Sequence, residues 1–158
     1  ANGLADPSRI VIRGGSAGGY AVLNGLVHSK VFAAGANYYG VAELIMLAED
    51  THDFESRYLD SLIGPYPEQK ELYVERSPLT HADNLTSPLI IFQGSDDPIV
   101  PPSQSQAFRD ACIKNGVKYK YFEFEGESHG FRKSQTITTC AIEELKFFGE
   151  VLGFVPAD

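Results

Sequence analysis

A serine stands in a run of small residues that favours its use as a nucleophile. Ser16 lies in the segment GGSAGG at 14–19, between the apolar stretch 10–12 and the helix-like stretch 20–23. A strand that turns into a helix at one residue forces that residue into a strained backbone conformation, and the glycines at 14, 18 and 19 leave room for it. The pattern is typical of a nucleophile elbow, which raises the hydroxyl above a sheet beside the N–H groups of a helix N-terminus.

Such a serine needs a histidine and a carboxylate, and both follow downstream. A neutral histidine accepts the hydroxyl proton, and the carboxylate orients that histidine. The apolar run 89–92, an expected strand, is followed by the turn QGSDDPIVPP at 93–102. The alternating run 119–124, a second expected strand, is followed by the loop that contains His129. Because carboxyl ends of parallel strands meet at one edge of a sheet, we expect Ser16, an acid of the 93–102 turn and His129 to share one cleft.

Several alternatives compete with this interpretation. Asp96 and Asp97 are both available as the acid, because aspartate also favours turns and helix N-caps. Three other histidines compete with His129, and none follows a predicted strand: His28, His52 and His81. A Gly-rich turn can also bind phosphate, but no Lys-Ser or Lys-Thr pair follows the glycines here.

Alternating strands and helices predict an α/β fold with a parallel sheet of about four strands flanked by helices. The strands are expected at 9–13, 32–38, 88–93 and 118–124, and the main helices at 17–28, 101–115 and 134–152. In the last helix, apolar residues at helical spacing predict one face packed on the sheet: Ile137, Ala141, Leu145, Phe148 and Leu152. The insert 41–87 is expected to contain short helices at 41–48, 54–63 and 67–76.

Three ordered segments resemble the catalytic domain of the prolyl oligopeptidase family of serine peptidases, especially its acylaminoacyl-peptidase and dipeptidyl-peptidase-like members. They are GGSAGGY at 14–20, GSDDPIVP at 94–101 and ESHGF at 127–131. The resemblance implies the carboxyl-terminal half of an α/β-hydrolase fold, and its spacing selects Asp97 over Asp96. It further implies that Ser16, Asp97 and His129 form a triad that cleaves short peptides through an acyl-enzyme intermediate.

The resemblance also implies an oxyanion hole and a substrate pocket. The N–H of Ala17 is expected to supply one oxyanion donor, while the family takes the second from an upstream tyrosine. Val41 and Val100 are expected to line the pocket for the residue before the scissile bond, with Phe54 and Tyr58 as aromatic neighbours. Ordinary core packing is the competing interpretation of these four residues.

Two other functions fit the same sequence. A carboxylesterase or dienelactone-hydrolase-like enzyme would use the same triad on an ester, because one fold hosts both reactions. From a different class, a non-catalytic fragment would serve only as a dimerisation module.

The composition of the chain limits its expected cellular location, binding partners and cofactors. The chain has 158 residues, 43% of them hydrophobic, which is enough for a single core. Its net charge of -8 argues against nucleic acid, and no apolar stretch is long enough to span a membrane. Cys112 and Cys140 are expected in helices as core residues, which favours a cytoplasmic setting. No histidine or cysteine pair recurs at ligand spacing, so we expect no metal and no cofactor.

The start of the chain predicts a partial domain. Ser16 follows almost at once after Ala1, and the only methionine is Met46. We therefore expect a single partial α/β-hydrolase domain over 1–158, without the upstream strands and the propeller that the resembling family has. The strand at 9–13 would then expose an open edge, which we expect to pair with a second copy or with the missing upstream half.

Overall fold

A four-stranded parallel sheet forms the centre of the molecule, in a computed structural model that describes residues 3–50 and 58–157. The strands lie side by side in chain order: β1 (Val11–Gly15), β2 (Ala34–Tyr38), β3 (Leu89–Gly94) and β4 (Tyr119–Phe124). In this register Val11 pairs with Ala34, and Leu89 pairs with both Gly35 and Tyr119. The predicted parallel sheet is confirmed. β1 begins later than expected because Pro7–Arg9 form a 3-10 turn, which the Asp6 side chain caps.

In the part of the chain that the structure describes, six α-helices surround the sheet: α1 (Ala17–His28), α2 (Leu44–Asp50), α3 (Tyr58–Leu62), α4 (Lys70–Arg76), α5 (Pro102–Lys114) and α6 (Ser134–Leu152). The three long helices agree with the prediction within a residue. The first helix of the insert starts at residue 44 rather than 41, because buried side chains accept the N–H groups of the residues at and just before its start. Gln104 accepts those of Ala42 and Glu43, and the Ser77 hydroxyl accepts that of Leu44.

The rest of the insert follows the prediction less closely. α4 begins at Lys70 rather than at 67, and a 3-10 helix over Pro78–Asn84 was not predicted. Part of the predicted helix at 54–63 lies outside the described residues, and α3 covers most of the remainder. None of the described helices combines the length and apolar character that a membrane crossing requires.

The core is split between the two faces of the sheet. Every residue of β3 is buried, as expected for a central parallel strand covered on both sides. One apolar cluster lies against α1 and α5, and the other lies under α6. Cys112 belongs to the first and Cys140 to the second, and both are buried free thiols. Their predicted place in the core is confirmed.

The predicted apolar face of α6 is partly wrong. Ile137 and Leu145 remain 51% and 46% exposed, and Ala141 is exposed as well. Phe148 and Leu152 do pack against the sheet, as predicted. The buried face is turned toward smaller and more polar residues, which apolar periodicity does not detect: Thr136, Cys140 and Gly149.

Candidate active site

Ser16 is the single residue between β1 and α1. Its backbone angles, φ 55° and ψ -120°, lie in a region that side-chain-bearing residues rarely adopt. The Ser16 N–H donates to the Tyr38 carbonyl at 3.0 Å, and its carbonyl accepts the Tyr20 N–H at 3.0 Å. One bond extends the sheet and the other starts the helix, so the surrounding structure fixes the strained conformation.

Two of the three neighbouring glycines are needed for this turn. A Cβ on Gly14 would run into the backbone of Gly18, and a Cβ on Gly19 would lie 2.5 Å from the Cα of Gly40. A Cβ on Gly18 would meet nothing within 4 Å. The expectation that all three glycines supply room is therefore wrong for Gly18.

The structure brings Ser16, His129 and Asp97 into one hydrogen-bonded chain. The Ser16 Oγ lies 2.8 Å from Nε2 of His129, and Nδ1 of His129 lies 2.8 Å from Oδ2 of Asp97. Ser16 follows β1, Asp97 follows β3 and His129 follows β4, so the carboxyl ends of three parallel strands meet here. The arrangement provides a hydroxyl, a proton acceptor for it and a carboxylate behind that acceptor.

The two neighbouring aspartates differ in their surroundings. Asp97 is 4% exposed, and its Oδ1 accepts the N–H groups of Ile99 and Val100, each at 2.9 Å. Asp96 is exposed, and its carboxylate accepts the Ser95 hydroxyl at 2.6 Å. The Asp96 side chain therefore bonds within the turn, and of the two aspartates only Asp97 contacts His129.

A buried glutamate closes the loop that contains His129. Glu127 is 3% exposed, and its two carboxylate oxygens accept the N–H groups of Arg132 and Lys133, each at 3.0 Å. Burial raises the pKa of Glu127, but these bonds and one from the Thr136 hydroxyl outweigh it and leave the pKa below its usual value. The Glu127 carbonyl also accepts the Asp96 N–H at 3.0 Å, which ties the acid loop to the base loop.

A cavity of about 540 Å³ opens beside these residues. Ser16, Ala17 and His129 belong to its lining, together with Val41 and Val100. Most of its remaining wall is aliphatic: Leu44, Leu47, Leu59, Leu62, Ile63 and Ile99. The cavity can therefore enclose an apolar group next to the Ser16 hydroxyl.

Of the four residues expected in the pocket, the structure places two there. Val41 and Val100 are 7% and 1% exposed, and both line the cavity and pack in one apolar cluster. Phe54 lies outside the described residues. Tyr58 begins α3, but its side chain is not among those described.

Two buried amides hold the valine walls in place. Oε1 of Gln104 accepts the N–H groups of Ala42 and Glu43 at 2.9 and 2.7 Å, which fixes the turn after Val41. Nε2 of Gln93 donates to the Val100 carbonyl at 3.0 Å. Both glutamines link the pocket walls to their supporting elements through buried hydrogen bonds.

The other histidines do not join this site. The rings of His28 and His81 contact each other in a tilted arrangement with centroids 4.6 Å apart, and His81 also contacts the Glu75 carbonyl. His52 lies outside the described residues. Across residues 3–50 and 58–157, no three side chains of the metal-binding types are grouped so that they could hold an ion.

Two residues near the triad were missed by the sequence analysis. Glu127 lies inside the quoted ESHGF segment, and its position ahead of a predicted helix was an available signal for a capping carboxylate. The Tyr39 ring contacts the His129 ring, with centroids 4.9 Å apart. Its place directly after a strand, at the same sheet edge, was the only indication of that contact.

Comparison with known proteins shows which family this chain is similar to. The sequence profile of the prolyl oligopeptidase family matches residues 1–154. Dipeptidyl aminopeptidase BIII of Pseudoxanthomonas mexicana is 32% identical over 96% of this chain and 23% of its own length. Esterase LipQ of Mycobacterium tuberculosis is 29% identical over 94% of this chain and 39% of its own length.

A solved structure is similar over nearly the whole chain. A puromycin-hydrolyzing peptidase of Mycobacterium tuberculosis is 49% identical, with a TM-score of 0.95, over 99% of this chain and 24% of its own. The chain thus spans about a quarter of the length of this peptidase and of the dipeptidyl aminopeptidase, at 24% and 23%.

Proposed function

This chain belongs to the prolyl oligopeptidase family of serine peptidases, and from that membership we propose that it contains the catalytic triad of a peptidase that acts on short peptides. Ser16 is the nucleophile, His129 the general base and Asp97 the acid that orients it. The observation that carries the proposal is the unbroken chain of two 2.8 Å hydrogen bonds from Ser16 through His129 to Asp97.

The reaction proceeds through an acyl-enzyme. His129 Nε2 takes the Ser16 proton as Oγ attacks the scissile carbonyl carbon, and the resulting imidazolium is supported by Asp97. His129 then gives that proton to the leaving amine as the C–N bond breaks. In the second half, His129 takes a proton from water, whose oxygen attacks the acyl carbon, and Ser16 is released with its proton restored.

Ala17 supplies one part of the oxyanion hole in this proposal. As the first residue of α1, it has a backbone N–H without an intrahelical acceptor, at the positive end of the helix dipole. That N–H donates to the oxygen on which negative charge develops.

The aliphatic cavity accommodates an uncharged side chain of the substrate. Its walls include Val41 and Val100, and it adjoins the Ser16 hydroxyl. We expect an apolar residue before the cleaved bond to be preferred over a charged one, because most of the wall is aliphatic and Arg76 is the only Lys, Arg, Asp or Glu side chain in the described lining. Puromycin is a suitable test substrate, since a relative 49% identical to this chain is a puromycin-hydrolyzing peptidase.

Ester hydrolysis is the second candidate function. Esterase LipQ matches 94% of this chain, and the proposed triad would attack an ester carbonyl by the same steps. Peptide and ester substrates with the same acyl group separate the two functions. Cleavage of the ester alone would contradict the peptidase assignment.

Covalent labelling tests whether the chain is catalytic at all. In the intact protein, a fluorophosphonate probe is expected to label Ser16, and Ser16→Ala and His129→Ala are expected to abolish labelling. His81→Ala is the matched control, because His81 lies away from the cavity and should leave labelling unchanged. An intact protein that the probe never labels would support a dimerisation module instead.

A further inference from the structure

Tyr39 has an unusual backbone conformation at the carboxyl end of β2. Among the described residues, only Ser16 and Tyr39 are non-glycine residues with positive φ, at 55° and 39°. A bulky residue in this region is strained, and such strain persists only where the surrounding structure imposes it. Both strained residues lie at the same edge of the sheet, next to the proposed triad.

Hydrogen bonds of the sheet hold Tyr39 in this conformation. The Tyr39 N–H donates to the Phe92 carbonyl at 2.8 Å, while the carbonyl of the preceding Tyr38 accepts the Ser16 N–H at 3.0 Å. The end of β2 therefore anchors the nucleophile and Tyr39 together. A change in the Tyr39 backbone would disturb bonds on both sides of β2.

The Tyr39 ring fills the space between the nucleophile strand and the base loop. Its centroid lies 4.9 Å from that of the His129 ring, with 62° between the planes, and 5.0 Å from that of Phe131, with 85° between the planes. A Cβ on Gly15 would lie 3.1 Å from the same ring. The Tyr39 ring therefore has close neighbours on β1 and in the loop that contains His129.

On the premise of the proposed function, we infer that Tyr39 is a positioning residue that fixes the plane of the His129 imidazole. Hydrogen bonds to Ser16 and Asp97 restrain the two ring nitrogens. They leave the imidazole able to tilt about the line that joins those nitrogens. The edge contact with Tyr39 opposes this tilt and keeps Nε2 aimed at the Ser16 hydroxyl through the reaction.

The aromatic ring, rather than the hydroxyl, performs this task. Burial raises the pKa of Tyr39, and the nearby Cys140 and Asp97 raise it further, so the phenol stays neutral across the working pH range. A phenylalanine provides the same ring, whereas a leucine provides volume without a flat surface.

The test compares acylation rates per active site in the intact protein. Active-site titration with the fluorophosphonate counts competent molecules, so loss of folded protein does not enter the rate. Tyr39→Leu is expected to lower the acylation rate per site at least about tenfold with KM little changed, and Tyr39→Phe to stay within about threefold of the parent. Tyr121→Leu, a partly buried tyrosine on β4, is the control and should not alter the rate.

A second variant keeps the proposal testable if Tyr39→Leu does not fold. Gly15→Ala retains Tyr39 but crowds its ring, and the three atoms nearest to the new Cβ all belong to the Tyr39 side chain. It should lower the rate per site relative to that of the parent protein, because the displaced ring no longer holds the same contact with His129. Equal rates per site in the parent, Tyr39→Leu and Gly15→Ala would overturn the inference, whereas an unlabelled parent would overturn the proposed function.

Discussion

Asp97 divides its two carboxylate oxygens between two tasks. Oδ1 accepts two backbone N–H groups of its own loop, and Oδ2 faces Nδ1 of His129. The first set of bonds fixes the carboxylate so that the second can fix the histidine tautomer. An amide at this position would keep the shape but could place an N–H donor against Nδ1.

Asp97→Asn is therefore expected to lower kcat by roughly 10³- to 10⁴-fold while KM changes little, because the wrong tautomer leaves Nε2 protonated. Steady-state kinetics on an apolar peptide substrate measure both constants. Asp96→Asn is the matched control, since the exposed Asp96 carboxylate accepts the Ser95 hydroxyl and does not contact His129, and it should change kcat less than about twofold. Equal losses in the two variants would remove Asp97 from the proposed triad.

The three proposed triad residues could be predicted from the sequence, whereas Tyr39 could not. Ser16, Asp97 and His129 were predicted to share a cleft because each ends a strand within a recognisable segment, and the structure brings their side chains together. Tyr39 was not predicted, because a strained tyrosine has no composition signal. Its conformation depends on bonds to β3 and on the distant His129 loop, which only the folded chain brings near.

At the scale of elements, the elbow depends on the close approach of α1 to the turn after β2. Gly19→Ala is expected to destabilise the fold by about 1–3 kcal/mol and to reduce fluorophosphonate labelling, because its Cβ would meet the Gly40 backbone. Gly18→Ala, one position earlier in open space, should be neutral or stabilise by up to about 1 kcal/mol through helix propensity. Chemical denaturation measures both, and an undisturbed Gly19→Ala would contradict the packing.

The base loop depends on the charge of Glu127. Glu127→Gln is expected to cost about 1–3 kcal/mol near neutral pH, because the amide cannot accept both backbone N–H groups. The lowered folded pKa means that this contribution is present above pH 4.5, the usual value, and is lost as the pH falls through the folded pKa. Melting temperatures from pH 7 to 3 should converge for parent and variant at low pH.

Glu125→Gln controls for the loss of one negative charge, since Glu125 is exposed two residues earlier in the same loop. It should change the melting temperature little at neutral pH. A gap between the parent and Glu127→Gln that stayed constant down to pH 3 would show that the carboxylate is not stabilised by its bonds.

The strands and helices could be predicted where the local sequence pattern determines them. The alternation of apolar strands with long helices fixed four strands and three helices, because each has a strong local signal. The buried face of α6 was not predictable in full, because Thr136 is buried through its bond to Glu127 rather than by its apolarity. The start of α2 depends on Gln104, a residue of another helix.

At the scale of the whole molecule, the order of the strands in the sheet brings the residues of the candidate site together. Neighbouring strands in the order β1, β2, β3, β4 place the ends of β1, β3 and β4 around the end of β2, so Tyr39 lies among the proposed triad residues. The same order leaves β1 with one bonded neighbour among the described residues, namely β2. β3, by contrast, bonds on both sides.

We expect the free edge of β1 to be covered by another strand in the intact protein. An open edge leaves backbone groups unpaired and invites pairing with another chain. Hydrogen exchange over Val11–Gly15 should therefore be slow, close to that of β3, rather than fast as on a solvated edge. Protection that falls on dilution would identify a second copy as the partner, and protection independent of concentration would identify a strand of the same protein. Rapid exchange of β1 at every protein concentration would contradict the prediction, because no strand would then be bonded to that edge.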